Sequence, residues 1–283
     1  MIAFLGMGHL GANFVKALLK RGEQVQVWNR TPAKALALEA DGAKAYDDVT
    51  DAVRGAARIH LTLKDDESVN ELLEQASAGF MPGAMIVDHT TTSAHGAVER
   101  TALWKSRGFT YLHAPVFMGP QNALESTGTM LVSGDQGVIA AVEPELKKMT
   151  GLVLNFGERE GTAAGMKLVG NLFLIAMTGG VADCLALARA VGIESANVSK
   201  LFEAWNPAGA VVARLKKITS KTFDQPSWEL NMARKDARLM IDGAGMGGMH
   251  LMAIPAIAEE MDRWIAMGHG NDDWTVIGKA AVE

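Results

Sequence analysis

The sequence predicts an α/β protein, with a doubly wound parallel sheet over residues 1–160 and an all-α domain over residues 161–283. Three observations carry that prediction. Short apolar runs alternate with helix-like stretches through the first half, the pattern of right-handed crossovers onto a parallel sheet. A glycine-rich turn, Gly6-Met7-Gly8-His9-Leu10-Gly11, stands directly behind the first run. Beyond Gly161 the alternation stops and only helical periodicity remains.

The runs Ile2–Leu5, Gln24–Trp28, Ile59–Thr62, Met85–Val87 and Thr110–Leu112 read as strands. Helical patterns separate them at Ala12–Lys20, Pro32–Asp41, Ser68–Ala76 and Ala94–Arg107. Two further runs, Met130–Ser133 and Leu152–Phe156, flank a helix at Ile139–Met149 and are candidates to extend the sheet. The second half holds helices at Ala163–Val191, Ser195–Ala204, Val211–Lys217, Glu229–Ala244 and Ile254–Ala266. Pro207, Pro226 and the Gly243–Gly248 cluster punctuate them. No polar linker separates the halves, so a packed junction is expected. Leu168 to Ala188 is long and apolar enough to consider as a membrane span. Asn171, Asp183 and the Gly179-Gly180 pair weigh against it, and the expectation is a buried helix with no membrane partner.

Composition narrows the function classes. The 283 residues carry a balance of 27 basic against 32 acidic side chains, or 27 − 32 = −5, which disfavours a broad basic face for nucleic acid. Cys184 is the sole cysteine and can form no intrachain disulfide or thiolate zinc cluster. The seven histidines show no metal-ligand spacing, so no metal is expected. The N-terminus runs straight into an apolar strand without the basic flank of a signal peptide, and a reduced, cytoplasmic location is expected.

Gly6–Gly11 fits G-x-G-x-x-G in the context that gives this pattern meaning, between a strand and a helix. Gly6 permits the tight turn, Gly8 lets a pyrophosphate approach the backbone, and Gly11 permits close helix–strand packing. The anion would lie over the first amides of the helix, lined by Gly6, Met7, Gly8, His9 and Leu10. This is the nucleotide-binding signature of a Rossmann domain. NAD-binding relatives of this fold place an acid about 20 residues on, at the end of the second strand. Here that segment reads Trp28-Asn29-Arg30-Thr31-Pro32-Ala33-Lys34, with no carboxylate to repel a 2′-phosphate. Arg30 offers a planar fork for that phosphate, Thr31 a hydroxyl and Lys34 a further charge, so NADP(H) is the expected cofactor.

Gly161-Thr-Ala-Ala-Gly165-Met-Lys167-Leu-Val-Gly-Asn171 opens the long apolar helix. Lys167 and Asn171 are four apart and share one face. A lone lysine on such a helix is ordinarily a snorkelling side chain. Beside a dinucleotide loop it gains a second meaning, because hydride transfer to a carbonyl also needs a proton donor.

With these motifs the sequence resembles the β-hydroxyacid dehydrogenase family, which includes 3-hydroxyisobutyrate dehydrogenases and glyoxylate/succinic semialdehyde reductases and shares the 6-phosphogluconate dehydrogenase NAD-binding domain. His113-Ala-Pro-Val-Phe-Met-Gly119 resembles that family's D-A-P-V-S-G-G substrate loop, and Gly161–Asn171 its catalytic segment, G-x-G-x-x-x-K followed by an asparagine, with Ala163 at a usual glycine and Asn171 four residues beyond Lys167. Asn231-Met-Ala-Arg-Lys235-Asp236 resembles its later K-D segment. The resemblance implies a Rossmann domain, an all-helical domain and a cleft between them. It implies Lys167 as acid/base, Asn171 as a substrate-orienting residue, and Lys235 at the nicotinamide end. Asp88-His-Thr-Thr91 resembles its D-x-S-T, which puts Thr91 near the nicotinamide, while Leu63 and Lys64 match a cofactor-lining loop.

The substrate loop departs from the pattern. Phe117 stands at the family's serine, Met118 at the first paired glycine, and Gly119 at the second. A phenyl ring donates no hydrogen bond to a carboxylate, although loop amides can. The expected function is therefore an NADPH-dependent reductase or dehydrogenase acting on a carbonyl or hydroxy-acid substrate, with larger or less polar carbonyls favoured. An imine reductase of the related fold and a non-catalytic NADPH-binding protein are the alternatives; Lys167 argues against the first, although the apolar substrate loop and the Trp28-Asn29-Arg30-Thr31 segment resemble it, and Lys167 with Asn171 argues against the second. A homodimer or larger assembly is expected, because the helix from Ala163 needs cover on most sides.

Overall fold

A computed structural model describes all of residues 1–283. The chain divides into two compact units, Met1–Asn171 and Leu172–Glu283. The boundary expected at residue 160 falls just before one long helix, and the division lies within that helix.

The first unit begins with β1 (Ile2–Leu5), α1 (His9–Lys20), β2 (Val25–Trp28), α2 (Pro32–Leu36), β3 (Lys44–Ala45) and α3 (Val49–Val53). It continues through β4 (Arg58–Leu61), α4 (Asp66–Ala76), β5 (Met85–Asp88), α5 (Ala94–Ser106) and β6 (Thr110–His113). These strands form one parallel sheet in the order β3-β2-β1-β4-β5-β6. The order reverses between β1 and β4, the switch point beyond whose carboxyl ends ligands bind in such sheets. Side chains alternate between two cores. Ile2, Phe4, Val25 and Val27 pack on one face, and Ala3, Leu5, Ile59 and Leu61 on the other.

The chain then forms β7 (Val116–Phe117), α6 (Pro120–Glu125), β8 (Thr129–Val132), α7 (Gln136–Leu146), β9 (Leu152–Asn155) and α8 (Thr162–Ala190). The runs near 130 and 152 do not extend the main sheet. They form a separate three-stranded sheet, β7-β8-β9, in which β7 pairs antiparallel with β8. Pro115 explains the break: it has no N–H to carry on the ladder of β6, and its carbonyl instead accepts the Leu131 N–H at 2.8 Å. Helix starts also moved. Asp135 accepts the N–H groups of Gly137 and Val138, so α7 begins three residues ahead of the apolar periodicity.

The second unit holds the rest of α8, then α9 (Ser195–Ala204), α10 (Val211–Thr219), α11 (Leu230–Met246) and α12 (Ile254–Trp264). Its core gathers Phe223, Leu230, Ala233, Met261, Trp264 and Val276. Asp273, fully buried, ties three segments by accepting from Lys217 Nζ, the Ser227 N–H and hydroxyl, and the Thr275 hydroxyl. Asp183 of α8 is buried too and accepts the N–H groups of Met252, Ala253 and Ile254 at the start of α12. The expectation of a buried α8 fails for the single chain. Leu172 is 70% and Ile175 74% exposed, since one chain supplies too few elements to cover an apolar helix of 29 residues.

The first unit also buries three histidines. His89 Nδ1–H donates to the Ala114 carbonyl at 2.8 Å, which leaves Nε2 to accept from His60 Nδ1–H at 3.0 Å. His60 Nε2 then has no partner. His113 donates from Nε2 to the Thr90 carbonyl at 2.8 Å, and its Nδ1 is likewise unpartnered. Burial holds all three below the ordinary histidine value, His89 at about 4. The native state therefore binds fewer protons than the unfolded chain as pH falls below about 6.5. Stability is expected to hold above that pH and to fall by about 2–3 kcal/mol on His89 alone by pH 4.5. Urea unfolding at pH 7.5 and 4.5 checks this, and an unchanged midpoint would contradict it.

Candidate active site

The glycine turn sits at the switch point. Gly6 adopts φ +97°, and a Cβ there would collide with the Thr62 carbonyl of the β4 end. A Cβ at Gly11 would collide with the Gly6 carbonyl. Gly8 differs: a Cβ there would meet nothing within 4 Å. Two glycines thus serve packing, and the third faces open space. Gly8 also precedes α1 without any side-chain cap, so the first amides of that helix remain available to an anion. This cradle fits a dinucleotide pyrophosphate.

A groove of about 670 Å³ opens beside the turn, lined by Gly6, Gly8, Asn29, Arg30, Thr31, Lys34, Leu63 and Lys64 among others. Eight expected cofactor residues thus meet on one surface. Arg30 and Lys34 are exposed there and enter none of the salt bridges. Lys64 does pair with Asp65, at 3.3 Å. Asn29 is committed to the protein itself, since its Oδ1 accepts the Met7 N–H at 2.8 Å and its Nδ2 donates to the Thr31 carbonyl at 2.9 Å. It braces the glycine turn against the end of β2. Met7 is buried, Leu10 packs against the core, and His9 is exposed at the first turn of α1.

Thr91 is exposed beyond β5, while its neighbour Thr90 is buried and accepts the Leu63 N–H at 2.9 Å. Trp28 of the expected cofactor segment also lines the groove, and sequence reasoning missed Thr62, Ser68, Glu71, Leu72 and Gln75 there. Strand register was the available signal, because Leu5 stands opposite both Trp28 and Leu61.

A second cluster forms where α8 meets β7. Lys167 Nζ lies over the Phe117 ring, 4.2 Å from its centroid. Asn171 lies half-buried one turn along, with no side-chain hydrogen bond of its own. Burial pushes the Lys167 ammonium below the ordinary lysine value. Lys235 belongs to α11 of the second unit and pairs with Asp236 at 3.0 Å. In the loop after β7, Met118 packs against the core, and the Gly119 N–H donates to Asn122 Oδ1 at 2.9 Å. That amide, expected to be open to a substrate anion, is already used. His113 is buried and its Nε2–H donates to the Thr90 carbonyl.

Residues 1–157 match the NAD binding domain of 6-phosphogluconate dehydrogenase. The chain belongs to that family. It is accordingly an oxidoreductase that works with a nicotinamide dinucleotide. An uncharacterized oxidoreductase of Shewanella frigidimarina is 27% identical over 95% of this chain and 94% of its own. A probable 3-hydroxyisobutyrate dehydrogenase of Mycobacterium tuberculosis is 28% identical over 69% of this chain and 66% of its own. Among solved structures, the imine reductase from Myxococcus stipitatus in complex with NADP+ shares the fold with a TM-score of 0.91, at 23% identity over 98% of both chains.

The three glycines predict separable outcomes. Gly8→Ala should leave the thermal midpoint nearly unchanged yet weaken dinucleotide binding by about tenfold or more, because its methyl enters only the space where the pyrophosphate approaches. Gly11→Ala should lower the midpoint itself, since its methyl strikes backbone. Thermal melts paired with cofactor titrations distinguish the two.

Proposed function

We propose that the protein is an NADPH-dependent reductase of the β-hydroxyacid dehydrogenase type, acting on an uncharged aldehyde or ketone with Lys167 as proton donor and, in reverse, as acceptor. The observation that carries this reading is Lys167 itself: half-buried, unpaired by any carboxylate, and one turn from the free amide of Asn171. NADPH, when bound, supplies the hydride. Lys167 stabilises the negative charge growing on the carbonyl oxygen and delivers the proton. Its depressed affinity for that proton brings it nearer to working pH than a free lysine, whose value is about 10.4. Asn171 orients the oxygen through its amide. Lys167→Ala should cut turnover by about 10²–10⁴-fold while NADPH still binds. Lys167→Arg should not restore it, because a guanidinium stays protonated. Near-normal turnover in either variant would remove Lys167 from the role.

The NADPH preference rests on Arg30 and Lys34, two unpaired cations at the end of β2. Arg30→Ala should weaken NADPH far more than NADH, by about 1.5–3 kcal/mol for a charge-assisted contact. Equal losses for both cofactors would refute the phosphate role.

A second reading has its own support. The Phe117 ring and the internally bonded Gly119 amide offer little to a carboxylate, which suits a neutral imine as well as a neutral carbonyl. The fold likeness to imine reductases points the same way. A panel of aldehydes, ketones, hydroxy acids and cyclic imines followed by NADPH absorbance separates the readings.

The exposed apolar side chains of α8 also support a homodimer or larger assembly. Light scattering at micromolar concentration should report at least twice the 30.1 kDa of one chain, and a monomer would contradict it.

A further inference from the structure

The cluster around Lys167 has three members, and only the lysine enters the proposed chemistry. Val116 and Phe117 are consecutive in β7, so their side chains leave opposite faces. Val116 is buried in the core of the first unit. Phe117 consequently turns the other way, onto α8. There its ring occupies the place that a side chain at Gly170 would fill, since a Cβ on Gly170 would collide with the ring tip. Gly170 is three residues from Lys167 on the same helix face. The lysine stem therefore rises beside the slot, and its ammonium group reaches back over the seated ring.

We propose that Phe117 is a positioning residue for Lys167: its ring, seated in the slot left by Gly170, holds the ammonium group over its face and keeps it charged. The ring face is electron-rich and attracts a cation, and partial removal from water strengthens that attraction. Two influences then act on the lysine in opposite directions. Burial disfavours its charge, and the ring favours it.

Burial is the sole cause of the lysine's shift, with no contribution from a neighbouring charge, although Glu158, Arg159 and Glu160 line a cavity with Gly165 and Met166 beside it. Between residues 163 and 171 of α8 the lysine is the sole titratable residue, and within five residues of Phe117 only His113 titrates, which is buried and bonded to Thr90. The charged residues of α5, which packs against Gly161, are His95 and Glu99, paired with each other at 3.1 Å, and Arg100 and Lys105; Arg100 binds Asp66.

This deepens the proposed function and rests on it for the lysine's chemical role, but its test does not need turnover. The full-length protein is reductively methylated with ¹³C-formaldehyde, and the Lys167 resonance is assigned by its absence in Lys167→Arg. Methyl groups above a ring face should resonate upfield of ordinary dimethyl-lysine. Phe117→Leu should abolish the upfield displacement and lower the titration midpoint of that resonance by about half to one pH unit. Gly170→Ala, which evicts the ring without touching it chemically, should do the same. Phenylalanines carrying one, two and three ring fluorines at position 117 should lower the midpoint stepwise, because fluorine drains the ring face while nearly preserving its shape. A merely structural ring would show no such gradient. An ordinary chemical shift in the unmodified sequence, or a midpoint indifferent to fluorination, overturns the proposal. Failure of Lys167→Ala to impair turnover would instead remove the proton-donor role and leave this contact standing.

Discussion

The nucleotide end of the protein depends on backbone meeting backbone where β1 turns into α1. Gly6 lies against the carbonyl of Thr62, and Gly11 against the carbonyl of Gly6, with no space for even a methyl group at either contact. That closeness draws α1 down onto the sheet and aims its first amides past Gly8. Asn29 then fixes the turn from the neighbouring strand by accepting the Met7 N–H. A residue that sequence reasoning assigned to the cofactor is spent on holding the cradle's shape, which leaves Arg30, Thr31 and Lys34 as the residues proposed to meet the ribose end.

The α8–β7 cluster uses a different device. There a glycine makes room for a side chain rather than for backbone. Gly170 admits a phenyl ring, and the ring in turn faces a lysine. The loop beyond β7 has also turned its polar capacity inward through the bond from Gly119 to Asn122. The cluster thereby presents an aromatic ring and one cation rather than a free loop amide, and the proposal of a neutral substrate rests on that balance.

Five of the six strands of the main sheet were legible in the sequence because each is largely buried on both faces and so reads as a continuous apolar run. The glycine turn was legible because its spacing follows from packing constraints that any dinucleotide fold shares. Short elements escaped notice: β3, α3, β7 and α6 span two to six residues, too few to show a period. The separate small sheet escaped because strand pairing there depends on Pro115, a single residue whose effect is geometric. The seating of Phe117 escaped for a related reason. Nothing in the spacing of residues 117, 167 and 170 shows that a strand and a helix far apart in sequence share one slot. Exposure of α8 was not legible because an apolar stretch shows a need for cover and not whether its own chain meets it.

The buried histidines form a chain with a direction. The Ala114 carbonyl sets the tautomer of His89, and His89 sets that of His60, so one boundary atom dictates where two ring protons reside. Those protons are sealed from water as long as the unit stays closed. Their exchange with solvent deuterium then requires the structure around them to open. His60 and His89 thus report on opening of the sheet that carries the nucleotide cradle.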